Sequence, residues 1–171
     1  MAVFIALLRA VNVGGTGTLP MAGLRAMAAD LGLGSPRTLL QSGNLVFEAN
    51  SEDAQALEAL LERETEARLG VRTEYLLRSP EAWRHLVAAN PFPAEADSDP
   101  ARLLVFFMKA APDPGPVEAA AEGLPETVRV LGREAYIFYP DGMGRSKLKL
   151  PVRGTGRNWN TVLRLAAMAG V

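Results

Sequence analysis

Two short apolar runs, residues 3–8 (VFIALL) and 103–108 (LLVFFM), constrain this chain more than any other feature. Successive side chains of a strand point to opposite faces. In the first run Val3, Ile5 and Leu7 alternate with Phe4, Ala6 and Leu8, so both faces are apolar, and the second run behaves likewise. A sheet with helices on one side only shows apolar–polar alternation instead. Each run therefore predicts a central strand covered on both faces, by the other half of the chain or by another chain; the intramolecular arrangement is preferred. Neither run is long enough for a membrane helix, and the first lacks the basic flank of a signal peptide. The expectation is a cytoplasmic protein without a membrane partner.

Around these runs the element order can be read. Residues 2–11 form a strand and a glycine-rich loop follows. Pro20 then opens a helix with Met21, Leu24, Met27, Ala28 and Leu31 at helical spacing. Residues 38–41 and 45–48 read as strands joined by the turn Ser42-Gly43-Asn44. Ser51 is placed to cap a helix with Ala54, Leu57, Leu60, Leu61 and Leu69 inward, and residues 72–77 form a fourth strand. The order β-α-β-β-α-β over residues 1–78 is the ferredoxin-like arrangement. Residues 79–100 read as a linking helix and an acidic, proline-punctuated linker. A second pass over residues 101–171 gives strands at 103–108, 127–131 and 135–139, with a short helix at 117–123 after the first of them. A basic loop over 141–156 and a helix from about Asn158 close the chain. The predicted fold is α+β: two ferredoxin-like subdomains packed together, the second a partial β-α-β-β-α echo of the first.

Composition narrows the chemistry. The chain of 171 residues contains no cysteine and one histidine, His85. Thiolate catalysis, disulfides and cysteine-based metal sites are excluded, and one histidine cannot build a His-rich cluster. His85 stands beside Trp83 and Leu86 with no acid–nucleophile partner evident. Glu58, Glu62, Glu64 and Glu66 read as the solvated side of a helix. An enzyme would have to use carboxylates, Lys, Arg or a bound metal, and no carboxylate constellation stands out. No catalytic residue, metal site or cofactor is therefore assigned.

The formal net charge of -1 conceals a split. Residues 1–51 carry +1, residues 52–141 carry -8, and residues 142–171 carry +6 with no acidic side chain at all. Such asymmetry marks either an anion-binding end or an uneven solvated surface.

Four segments are candidates for ligand contact, each with a structural alternative. The loop Asn12-Val13-Gly14-Gly15-Thr16-Gly17-Thr18, with Arg9 at its mouth, can point successive N–H groups at a phosphate; the alternative is a tight strand-to-helix connection. It matches neither GxGxxG nor GxxxxGK[ST]. Ser42 and Asn44 offer hydroxyl and amide groups on a hairpin tip, or simply build the turn. Arg145, Ser146 and Lys147 form a basic loop suited to a phosphate or nucleic-acid backbone, or a solvated loop. Arg157, Asn158 and Trp159 open the last helix: Asn158 suits an N-cap, and Trp159 either stacks a base or belongs to the core.

Several of these blocks occur together in one family. Residues 6–15 (ALLRAVNVGG), 41–47 (QSGNLVF), 89–93 (ANPFP), 139–142 (YPDG), 144–148 (GRSKL) and 157–162 (RNWNTV) resemble, in order, blocks of the bacterial family called domain of unknown function 1697. The resemblance implies two ferredoxin-like subdomains and no established reaction or cofactor. Two departures stand out. Ala10 replaces a glycine usual in the family, and a longer helical stretch usual between Lys147-Leu148 and Arg157 is reduced to KLPVRGTG, where proline and two glycines disfavour helix.

The leading functional expectation is a binding protein. Its glycine-rich loop and basic C-terminal segment would converge on one surface for a nucleotide, phosphorylated metabolite or nucleic-acid backbone. The alternative is a non-catalytic interaction module or homodimer whose glycine-rich loops are structural.

Overall fold

The computed structural model describes residues 1–13 and 18–171. The chain divides into two compact units, Met1–Arg84 together with Leu165–Val171, and His85–Arg164. Among the described residues no helix is long and apolar enough to cross a membrane.

The first unit contains β1 (Ala2–Leu8), α1 (Met21–Asp30), β2 (Gly34–Thr38), β3 (Asn44–Ala49), α2 (Ala54–Leu69) and β4 (Tyr75–Arg78). Its sheet has the order β2-β3-β1-β4 and every pairing is antiparallel. This is the ferredoxin-like order, reached with the central apolar run as β1. Phe4, Ala6 and Leu8 belong to one core with Leu24, Met27 and Ala28 of α1 and Leu57 and Leu61 of α2. Ile5, Leu7, Val46 and Leu76 occupy the opposite face and are equally buried. Both faces of the sheet are covered, as two-sided apolarity requires.

Local chemistry moves several expected boundaries. The first hairpin strand is β2 at Gly34–Thr38, not 38–41, because Leu39 N–H already bonds the Asn44 carbonyl at 3.0 Å and Leu40 turns with φ 61. Asp53, not Ser51, caps α2: its Oδ1 accepts from Ala56 N–H at 3.1 Å, while Ser51 Oγ accepts from Asp53 N–H. At Gly43 φ is 90, and a Cβ there would lie 2.7 Å from Val11 Cγ2, so the hairpin tip beneath β1 admits only glycine.

Glu58 and Glu62 are not merely solvated. The strand β4 is an edge, and its outward N–H groups at Leu77 and Tyr75 donate to Glu58 Oε2 (2.9 Å) and Glu62 Oε2 (2.8 Å). Buried or half-buried N–H groups need partners, and α2 supplies them from one face, four residues apart.

Between β4 and the next strand the chain forms α3 (Pro80–Ala88) and α4 (Pro93–Ser98), the latter followed by a 3-10 turn at Pro100–Arg102. The stretch expected as a linker is thus partly helical, with Pro93 at the first turn, where its missing N–H costs nothing. The second unit continues with β5 (Leu103–Phe107), α5 (Pro114–Ala119), β6 (Thr127–Leu131), β7 (Glu134–Phe138), β8 (Thr155–Asn158) and α6 (Trp159–Met168). The division between units falls within α3 and within α6.

The second sheet has the order β6-β7-β5-β8, again wholly antiparallel. The echo is fuller than expected: the segment read as the end of the basic loop supplies a fourth strand, pairing Phe107 with Thr155, Phe106 with Gly156 and Val105 with Arg157. The connection before it, residues 139–154, contains no helix. In its place Leu148, Leu150 and Val152 pack onto the cluster of Met108, Val117, Val128, Val130, Ala135 and Ile137. A Cβ on Gly154 would collide with the Phe107 carbonyl and the Phe106 ring, so the strap can pass this close to β5 only as glycine.

Candidate functional site

The candidate residues fall into both units: Arg9, Asn12, Ser42 and Asn44 in the first, and Arg145, Ser146, Lys147, Arg157, Asn158 and Trp159 in the second. Gly14, Gly15 and Thr16 lie outside the described residues.

In the first unit the amide side chains serve the backbone. Asn12 Nδ2 donates to the carbonyls of Leu19 (2.9 Å) and Gln41 (2.8 Å), and Asn12 Oδ1 accepts from Leu19 N–H at 2.6 Å. One side chain thus closes its own loop and ties it to the hairpin at residues 41–44. Asn44 is buried and donates to the Leu39 carbonyl (2.7 Å) and Ser42 Oγ (3.1 Å). Asn12 has φ 55, Leu40 φ 61, and Ala10 φ 55, the last at a position where glycine would sit without strain. Arg9 is half-buried; its N–H donates to the Glu74 carbonyl (2.9 Å) and its carbonyl accepts from Thr73 Oγ1 (2.7 Å). Asn12 and the QSGN block therefore meet in one clasp.

In the second unit a cleft of about 650 Å³ is lined by residues of three stretches, Arg102, Leu124 to Glu126, and the segment from Pro140 that carries Asp141, Arg145, Ser146 and Lys147. Arg102 reaches it from the 3-10 turn, its Nη1 donating to the Pro140 carbonyl at 2.7 Å and its Nε 3.6 Å from Asp99 Oδ2. Glu126 is buried and accepts a 2.5 Å hydrogen bond from Ser146 Oγ, which itself accepts from Leu148 N–H at 3.1 Å. Ser146 is thereby the pivot between cleft wall and strap. The Tyr139 hydroxyl is held above the ordinary phenol value, first by burial and then by the Glu126 charge. Arg145 and Lys147 are exposed, and neither has a carboxylate partner among the described residues.

Exposure along the strap alternates. Arg145, Lys147, Lys149 and Arg153 are exposed, while Ser146, Leu148, Leu150 and Val152 are half-buried. Period two is the signature of extended chain on a surface, and the basic side chains all fall in the outward register.

Arg157 and Trp159 are only 5% exposed each. Arg157 Nη1 donates to Thr155 Oγ1 (2.6 Å) and the Gly156 carbonyl (2.9 Å), and burial lowers its pKa to about 10. Trp159 belongs to the interior and offers no open stacking platform. Asn158 caps α6, its Oδ1 accepting from Thr161 N–H at 3.0 Å. The 157–159 block is therefore a strand end and helix start, not a surface element.

Two cleft residues went unnoticed in the sequence. Arg102 looks like an ordinary linker residue, and Glu126 like one acid among many in an acidic stretch. The KLKLPVR pattern was the available signal: alternating base and apolar residue without turn chemistry predicts an extended strap. Among the described residues, no group of three or more His, Asp or Glu side chains could hold a metal ion.

Comparison with known proteins agrees with the fold. The chain is similar over 98% of its length to 98% of the conserved bacterial protein SP0830 from Streptococcus pneumoniae, with a TM-score of 0.74 and 25% identity. No curated protein matches. The model of one family, described as protein of unknown function (DUF1697), matches residues 1–136, most of the chain and all of it up to β7. With that match, and the two four-stranded antiparallel sheets beside it, the chain belongs to the DUF1697 family.

Proposed function

We propose that the second unit binds a phosphate-bearing anion in the cleft between Arg102 and the Arg145–Ser146–Lys147 turn. The carrying observation is the meeting of three cations on one cleft of about 650 Å³, two of them without carboxylate partners among the described residues. Arg145 is suited to grip two phosphate oxygens with its planar fork, and Lys147 to add a point charge. Of the two carboxylates on the lining, Glu126 is buried and engaged by the Ser146 hydroxyl, while Asp141 stands exposed beside the bound group. The proposal assigns no bond-making step.

Arg9, Asn12, Ser42 and Asn44 are left out of this site. The hydrogen bonds of Asn12 and Asn44 favour a structural role for the first unit's loops, and Arg157 and Trp159 are supports of β8 and α6.

Isothermal titration calorimetry with pyrophosphate and ATP tests the reading. Wild-type protein should bind at least one of them, and Arg145→Gln with Lys147→Gln should weaken that binding about tenfold or more and flatten its salt dependence. Equal affinity in the double variant refutes the cleft.

A further inference from the structure

We infer that the anion seated here is part of a linear polyanion, the sugar–phosphate backbone of a single-stranded nucleic acid, which runs from the cleft along the strap at residues 145–153. This rests on the cleft reading above and adds to it a direction and a ligand class. The cationic row does not stop at the cleft: beyond Arg145 and Lys147, on its lining, the exposed side chains Lys149 and Arg153 continue it.

Three properties favour an extended strand over a compact ligand. First, alternate residues of an extended chain lie about 6.7 Å apart, close to the separation of successive phosphates on an unstacked strand. Outward cations at 147 and 149 thus match a repeating charge; Arg145 precedes them in the turn that Ser146 N–H closes on the Met143 carbonyl, and the bend at residues 151–152 comes before Arg153. Second, no acidic residue follows Asp141 in the chain, so the segment itself repels nothing along the track. Third, Leu148, Leu150 and Val152 anchor the strap on the core beneath β5 and β7, so less ordering cost falls on binding. The row carries no aromatic side chain, so recognition is of backbone charge and indifferent to base sequence.

The test uses the full chain and a fluorescein-labelled fifteen-nucleotide oligo(dT), read by anisotropy between 50 and 200 mM salt. Contact with about four phosphates gives a log–log salt slope near -2.8. Lys149→Gln with Arg153→Gln, both outside the cleft, should weaken oligo(dT) binding about five- to tenfold at low salt and reduce the slope by about 1.4. The same variant should leave pyrophosphate affinity unchanged, and Lys149→Arg with Arg153→Lys should retain oligo(dT) binding. Unaltered oligo(dT) binding in the Gln variant overturns the track, as does equal or tighter binding of a fifteen-base-pair duplex. Pyrophosphate binding without oligo(dT) binding overturns the track and leaves the cleft standing. Absence of both overturns both.

Discussion

The two units reach the same strand order by different means, and the difference lies in one connection. In the first unit the crossover from β3 to β4 is α2, sixteen residues of helix. In the second the crossover from β7 to β8 is the extended strap. The helix seals its side of the sheet: Phe4, Ala6 and Leu8 of β1 are buried beneath α1 and α2. The strap seals less, and the corresponding Leu104 and Phe106 of β5 remain half-buried. A helix carries an apolar stripe on a two-dimensional surface of side chains, whereas an extended segment can press down only every second residue. The other half of the strap is obliged to face outward, and in this chain that half is basic. Weaker cover and a cationic row are two results of one substitution of architecture.

The contrast can be broken most directly at the core. Leu61 of α2, fully buried, should cost about 2–5 kcal/mol of stability on change to Ala. Leu150, half-buried on the strap, should lose only about 1 kcal/mol, in line with the smaller area it removes from water. Urea denaturation of the two variants measures both, and equal losses would mean that the strap holds its sheet as firmly as the helix does. The edge caps come next. Glu58→Ala and Glu62→Ala should each cost about 1–2 kcal/mol, because each removes the carboxylate that a strand N–H donates to. Amide exchange at Leu77 should quicken in the first variant and at Tyr75 in the second, with β8 unaffected. The smallest effect is a gain. Ala10 holds φ 55, a conformation that glycine adopts without strain, so Ala10→Gly should raise stability by about 0.5–1 kcal/mol in thermal melts. A loss there would show that the entropy of the added glycine outweighs the relieved backbone.

Much of this was legible beforehand, and the exceptions share a cause. The apolar runs at β1 and β5, the period of α1, and the QSGN turn all carry local signals, and each emerges within a few residues of its expected place. The strand β8 carries none: Thr-Gly-Arg-Asn has neither alternation nor β-branched density, and it is a strand because β5 offers it an open edge. The helix expected at 117–123 instead begins at Pro114, a first-turn position where proline is tolerated. At the candidate site, Arg145 and Lys147 were identifiable by type and charge. Arg157 was not distinguishable from them, since burial is decided by the sheet register that brings it opposite Val105 and not by its neighbours in sequence. Asn12 likewise looked like a ligand contact, and only the positions of Leu19 and Gln41 reveal that its hydrogen-bonding capacity is already used.

The paired carboxylates on α2 also act as a ruler. Four residues of helix advance about 6 Å, and two residues of strand about 6.7 Å. Glu58 and Glu62 can therefore meet Leu77 and Tyr75 together in only one alignment of α2 against β4. A slip by a single strand residue would set both carboxylates opposite residues whose N–H groups point inward to β1. The connection from Gly70 to Glu74 is consequently fixed in length by contacts outside it, and an inserted residue there would have to bulge into solvent, since it could not be taken up by sliding.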